Sequence, residues 1–209
     1  MRDPDPEPAG SRRRRLAPDA RRAEILAAAR ELFSQRPYRT VSTAEIAEAA
    51  GVARSLVHHY FGGIRGVFLA VASDGAAALA SARTAGPDVP FEERTAHNIA
   101  ASLDVIAANR ETWLAVVAHR LDPVDADIHA LVLAAKEASV DRTLQANRDL
   151  IDDTPQARFA LRCFGEFTTE ATRLWLLGER TREETEALLL TAGRNLITHT
   201  IPALAGARS

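Results

Sequence analysis

An all-α architecture is what this sequence predicts, and three observations carry it. Ala, Leu, Arg and Glu dominate the 209 residues, while aromatics make up only 5%. Those are good helix formers, and no alternating run of β-branched residues of strand type appears. Apolar residues recur instead at helical spacing, between breaks made of Gly, Pro and Asp. The length suits a small N-terminal three-helix unit followed by one larger helical core.

Residues 1–18 alternate Pro with acidic residues, then run through Gly10-Ser11 into Arg12 to Arg15. This composition predicts a disordered basic arm. Its Arg run is either a solvated tail or an arm that follows DNA phosphates or enters the minor groove. A first helix is expected over 19–35, with Ile25, Ala28, Ala29, Leu32 and Phe33 on one face, Asp19 as N-cap and Pro37 just past its end. Ser42-Thr43-Ala44-Glu45 is a capping box, so a second helix starts at Thr43 and ends at Gly51. A third runs from about Arg54 to Tyr60, and Phe61 should tuck back onto the first.

The second and third helices form the pattern of a DNA-reading helix-turn-helix. Ala47 is small enough for one helix to cross close over the other, and Gly51 can take the left-handed backbone of the corner. Ile46, Val52 and Val57 should fill the wedge. Arg54, Ser55, Leu56, His58 and His59 are then the candidates for entering the major groove. Leu56 either touches a thymine methyl or packs at the helix edge; Arg54 bonds either a guanine edge or a phosphate. Ser42 and Thr43 cap a helix N-terminus, where a phosphate also fits. Tyr60 should be half core and half phosphate ligand.

Charge divides the same way. The net charge is -2, but the first 61 residues hold 11 Lys+Arg against 8 Asp+Glu, and the remainder 15 against 20. The basic excess therefore sits with the reader. Downstream, helices are expected over 64–84, 91–108, 110–120, 124–151, 155–178 and 182–200, broken at Gly86-Pro87, Asp122-Pro123, Thr154-Pro155 and Gly178. The last two carry broad apolar faces, Phe159 to Trp175 and Leu188 to Ile197.

Residues 21 to 71 resemble the TetR family of bacterial transcriptional regulators in order, spacing and residue type. The match is carried by Ile25, Ala28, Ala29, Leu32, Phe33, Tyr38, Val41, Ile46, Ala47, Ala50, Gly51, Val52, Tyr60, Phe61 and Phe68. Some positions depart from the family pattern. Ala53 replaces a capping serine, His58 stands where a tyrosine often contacts phosphate, and Ile64 where a lysine often does, with Arg65 beside it as a substitute. The resemblance implies a helix-turn-helix DNA-binding domain (19–63) followed by a helical ligand-binding and dimerisation domain (64–209). It implies a homodimer through the last two helices, on a double-stranded, pseudo-palindromic operator. It also implies a small-molecule inducer in a pocket whose candidate lining is Phe68, Val71, Leu103, Ile106, Trp113, Leu114, Val117, Leu121 and Phe167.

Other chemistries find little support. No Gly-rich phosphate loop, nucleophile motif or paired-carboxylate context suggests catalysis, so no catalytic residue and no cofactor is expected. The six histidines lack ligand spacing, so no metal site is expected either. The one cysteine, Cys163, reads as a buried structural thiol rather than a redox sensor. With no signal-peptide core and no run expected to span a bilayer, a cytoplasmic protein without membrane contact is predicted.

Overall fold

The computed structural model describes residues 18–119 and 126–206, and all regular elements among them are helical. They are α1 (Pro18–Gln35), a 3-10 turn (Tyr38–Thr40), α2 (Thr43–Ala49), α3 (Arg54–Phe61), α4 (Ile64–Ala82), α5 (Phe91–Ala108), α6 (Arg110–His119), α7 (Ala126–Ala146), α8 (Pro155–Leu176), α9 (Arg182–Asn195), a π-helical turn (Leu196–Thr200) and α10 (Ile201–Gly206). Residues 1–17 of the expected arm, and Leu121, lie outside the described residues. Asp19 is not the N-cap: α1 already begins at Pro18, which suits a first helical position, and Asp19 sits in the first turn.

The helix-turn-helix forms as its local chemistry dictates. The Ser42 hydroxyl accepts from the Glu45 N–H (3.2 Å), and the Glu45 carboxylate accepts from the Ser42 N–H (2.8 Å). At the far end Gly51 adopts φ +63. Its N–H donates to the Glu48 carbonyl (3.0 Å), and the Val52 N–H donates to the Ala47 carbonyl (2.9 Å). These two bonds satisfy the orphan carbonyls of α2 and turn the chain into α3.

One apolar core holds this unit. Ile25, Ala29 and Phe33 of α1, Ile46 and Ala47 of α2, Val57 of α3, and Val67, Phe68 and Val71 of α4 are buried together. Tyr38 stacks on Phe68 with ring centroids 3.9 Å apart, and Phe33 meets both rings edge-on. The core does not stop at position 63. It takes in the first half of α4 and the fully buried Ile128 of α7, with Ala115 and Val116 of α6 against it. Phe68 and Val71, expected to line an effector pocket, are part of this reader core; at helical spacing an apolar core face and a pocket wall look alike.

α4 is long and apolar enough to cross a membrane by length and composition, contrary to expectation. Val67, Phe68, Val71 and Ala72 are nevertheless sealed inside the protein, and the helix meets α1, α5, α6 and α7, as a core helix does. A second core joins Val140 and Leu144 of α7, Ala157, Ala160 and Leu161 of α8, and Ile197 and Ile201. The last helix runs on to Gly206 rather than stopping at 200. Its π turn, closed by the Ile201 N–H on the Leu196 carbonyl, widens the helix just before Pro202, whose ring would crowd the preceding turn.

Gly66 sets how closely α4 approaches α3. A Cβ there would lie 1.8 Å from the Phe61 carbonyl oxygen, so the backbone itself would have to move. Gly66→Ala is expected to cost about 1–3 kcal/mol in urea unfolding, as overpacking does. A variant as stable as the parent would mean that the α3–α4 junction is looser than this contact requires.

Candidate nucleic-acid interface

α3 has two unlike faces. Val57 is fully buried, and Leu56, Tyr60 and Phe61 are half-buried against the core. Arg54, Ser55, His58 and His59 are exposed together on the other side. Of the two roles weighed for Leu56, packing at the helix edge is the one its burial favours. Tyr60 keeps one side on the core while the His59 ring stands edge-on to it at 5.2 Å. Phe61 does reach α1, where the Arg22 guanidinium lies 5.1 Å over its ring.

Thr43 has a role that sequence reasoning did not find. It is buried, at 6% exposure, so its hydroxyl is not presented to solvent. That oxygen accepts the Nε–H of Arg54 (3.0 Å) and lies 3.3 Å from His58 Nε2. One hydroxyl on α2 thus orients two polar side chains of α3. The terminal nitrogens of Arg54 make no hydrogen bond among the described residues and remain available for a phosphate or a guanine edge. Ser42 is exposed, but the capping box engages both its hydroxyl and its own N–H. Arg65 is exposed, and its Nη1 donates to Asp127 at the start of α7 (2.6 Å). An exposed ion pair of this kind is weak enough for a phosphate to compete with it.

The electrostatics at the start of α2 are settled by Arg36. Its hydrogen bond to Glu45, followed by those from Ser42, holds the Glu45 carboxyl down to about 2, against an ordinary 4.5. Glu45 is therefore charged at neutral pH, with Arg36 offsetting its charge beside the interface.

Of the nine residues expected around an inducer, Leu121 lies outside the described residues and the other eight fall in several different surroundings. Phe68 and Val71 are in the reader core. Leu103 is buried with Ala171 and Leu189, Ile106 is buried, and Trp113, Leu114 and Val117 are half-buried. Phe167 is 40% exposed. Open clefts among the described residues include one of about 400 Å³ beside Arg22, Arg30 and Asp74 and another of about 340 Å³ beside Asp141, Arg148 and Arg158. None of the eight described candidates lines either cleft. On α8 and α9, Phe159, Phe167 and Leu188 are exposed, whereas Ala171 and Leu189 turn inward. Cys163 shares the exposed side of α8 and is not a buried thiol; apolar neighbours in sequence marked an outward face as well as an inward one.

A pair of short helices joined at a glycine corner, fastened to a helical body and with a polar face turned outward, is the arrangement of a helix-turn-helix DNA-binding unit. Comparison with known proteins bears on the N-terminal unit first. Residues 25–71 match the model of bacterial regulatory proteins of the tetR family. The chain is 41% identical over 66 residues to the HTH-type transcriptional activator FasR of Mycolicibacterium smegmatis, a match covering 31% of this chain and 30% of that protein. A tetR-family transcriptional regulator from Streptomyces coelicolor shares its fold, with TM-score 0.74 and 24% identity over 90% of this chain and 88% of that one. So does the fatty acid degradation regulator FadR from Bacillus halodurans, with TM-score 0.65 and 15% identity over 85% and 98%.

The Glu45 carboxyl should titrate near pH 2 when followed by NMR, because its acceptor bonds favour the charged form. A depressed value means that its contribution to stability is full above the ordinary 4.5 and is lost progressively as pH falls from there through about 2. A midpoint in the ordinary glutamate range would show that the Arg36 contact does not persist in solution.

Proposed function

We propose that this chain is a ligand-responsive repressor that binds a pseudo-palindromic operator as a homodimer in the cytoplasm and is released by a small apolar or amphipathic inducer. The observation that carries the DNA-binding part is the exposed group Arg54, Ser55, His58 and His59, two of them oriented by Thr43. In this reading residues 19–63 read DNA, with α4 completing their core, and 64–209 bind ligand and dimerise. Arg54, Ser55, His58 and His59 enter the major groove, with Leu56 at its edge. Ser42, Tyr60 and Arg65 meet the backbone, and Thr43 acts through the side chains it holds.

A single reader spans only a few base pairs, and two are needed about 34 Å apart, or a multiple of that, on one face of the duplex. Exposed Phe159, Phe167 and Leu188 on α8 and α9 suit a four-helix contact between two copies. Release follows from population shift: an inducer that fits better when α4 is displaced changes the separation of the two readers. A second reading, activation rather than repression, is favoured by the relative named as a transcriptional activator. Transcription in vitro from a bound promoter separates them, since a repressor lowers it and an activator raises it.

Arg54→Ala should weaken specific operator binding by about 1–3 kcal/mol in fluorescence anisotropy, with an unchanged melting temperature. Unchanged affinity would remove Arg54 from the interface. Sedimentation should give a dimer at micromolar concentration, and Phe159→Glu with Leu188→Glu should give a folded monomer that has lost operator binding. A parent protein that sediments as a monomer would overturn the dimeric reading.

A further inference from the structure

α4 ends at Ala82, and the next side chain, Arg83, turns into the helical domain. Its Nε donates to the Ser102 hydroxyl of α5 (2.7 Å) and its Nη1 to the Ser139 hydroxyl of α7 (2.9 Å). Ser102 is itself buried and passes its own proton to the Asn98 carbonyl (2.6 Å). Arg142 lies nearly one turn beyond Ser139 on α7, close enough to act on Arg83 by charge repulsion. The Arg142 Nε is shut off from solvent and has no hydrogen-bond partner. Burial first, and then the Arg142 charge, pull the Arg83 guanidinium down to about 10; burial likewise lowers Arg142.

Arg94 shows how this fold treats a buried guanidinium that needs nothing further. It donates to both Asp149 carboxylate oxygens (2.8 and 3.0 Å), to the Val89 carbonyl (3.2 Å) and to the Asn147 side chain (3.3 Å). Among the described residues no carboxylate forms an ion pair with Arg83 or Arg142, and Asp141, beside Arg142 in sequence, is engaged by Arg158. A guanidinium taken out of water with only neutral hydroxyls as acceptors, beside a second one whose Nε is sealed and unbonded, is costly, and an anion between them removes that cost. Both arginines are intermediate in burial as whole residues, with the Arg83 guanidinium the deeper of the two. The nearby interior of α5 and α7 is apolar, with Leu103, Ile106, Val140 and Leu144 buried.

We propose that Arg83 and Arg142, with Ser102 and Ser139, bind the oxyanion headgroup, carboxylate or phosphate, of an amphipathic small molecule. As the place where an effector acts, the site rests on the ligand-responsive reading above. Arg83 closes the end of α4 opposite the reader, so a ligand that draws the two arginines together displaces that helix from its far end.

The test is thermal unfolding of the full chain with inorganic phosphate, octanoate, octyl phosphate or 1-octanol, against sodium chloride at matched ionic strength. At least one oxyanion should raise the melting temperature saturably, while neutral 1-octanol does not. Octanoate acting without octyl phosphate names a carboxylate, and the reverse a phosphate. Arg142→Met should abolish the oxyanion shift and raise the melting temperature of the protein without added anion, since the charge that acts against Arg83 and the unbonded Nε are gone. Arg83→Met should also abolish the shift. Responses no greater than chloride, a shift that survives in Arg142→Met, or an Arg142→Met protein that melts lower would each overturn the site. Operator binding separates the two readings. Release by 1-octanol without oxyanion binding removes this site and leaves a ligand-responsive regulator; an Arg142-dependent shift that leaves operator affinity unchanged keeps the site and removes the coupling.

Discussion

A helix of seven residues and one of eight cannot bury enough apolar surface to hold each other at a fixed angle. The reader therefore borrows its core. Val57 beneath the recognition helix packs in the same cluster as Phe68 of α4 and Ile128 of α7. Tyr38 and Phe33 close that cluster from the side with their rings. The price of a small reader is dependence: α3 takes its orientation from α2 and α4, which pack against it, and from the cluster they share with α1 and α7. Under the proposed function, that dependence is the route from the helical domain to DNA, because moving α4 moves the floor on which α3 rests.

Polar chemistry refines what the core fixes coarsely. The Thr43 hydroxyl, buried beneath the interface, limits the freedom of Arg54 and His58 before any ligand arrives. Side chains ordered in advance lose less entropy on binding. Gly66 keeps α4 tight against the end of α3, and the Arg65–Asp127 pair links that same end to α7. α4 is thus held at its reader end by close packing, and at its other end by an arginine whose bonds run to two different helices.

Much of the reader was legible because its signals are local. Ser42 and Glu45 stand at capping-box spacing, and Gly51 sits where a left-handed residue must end α2. Helices downstream followed from apolar spacing, although α7 stops at Ala146 instead of 151 and the last helix runs on to Gly206. What stayed hidden depends on contacts between distant positions. Gly66 lies inside a helical run and reveals nothing until the Phe61 carbonyl is placed against it. Thr43 read as a cap, because its bonds to Arg54 and His58 cross between helices. Phe68, Val71 and Phe167 were expected around one pocket, yet two are core and one is surface, since helical spacing marks a face without saying what covers it. Arg83 and Arg142 are 59 positions apart, and no motif joins them.

Methylation protection on the chain's operator tests the central claim most directly, since it reports guanine N7 in the major groove. Two protected segments on one face of the duplex, centred about 34 Å or a multiple apart, are what paired copies of α3 would leave. Binding that protects no guanine edge, or that leaves one isolated segment, would contradict it.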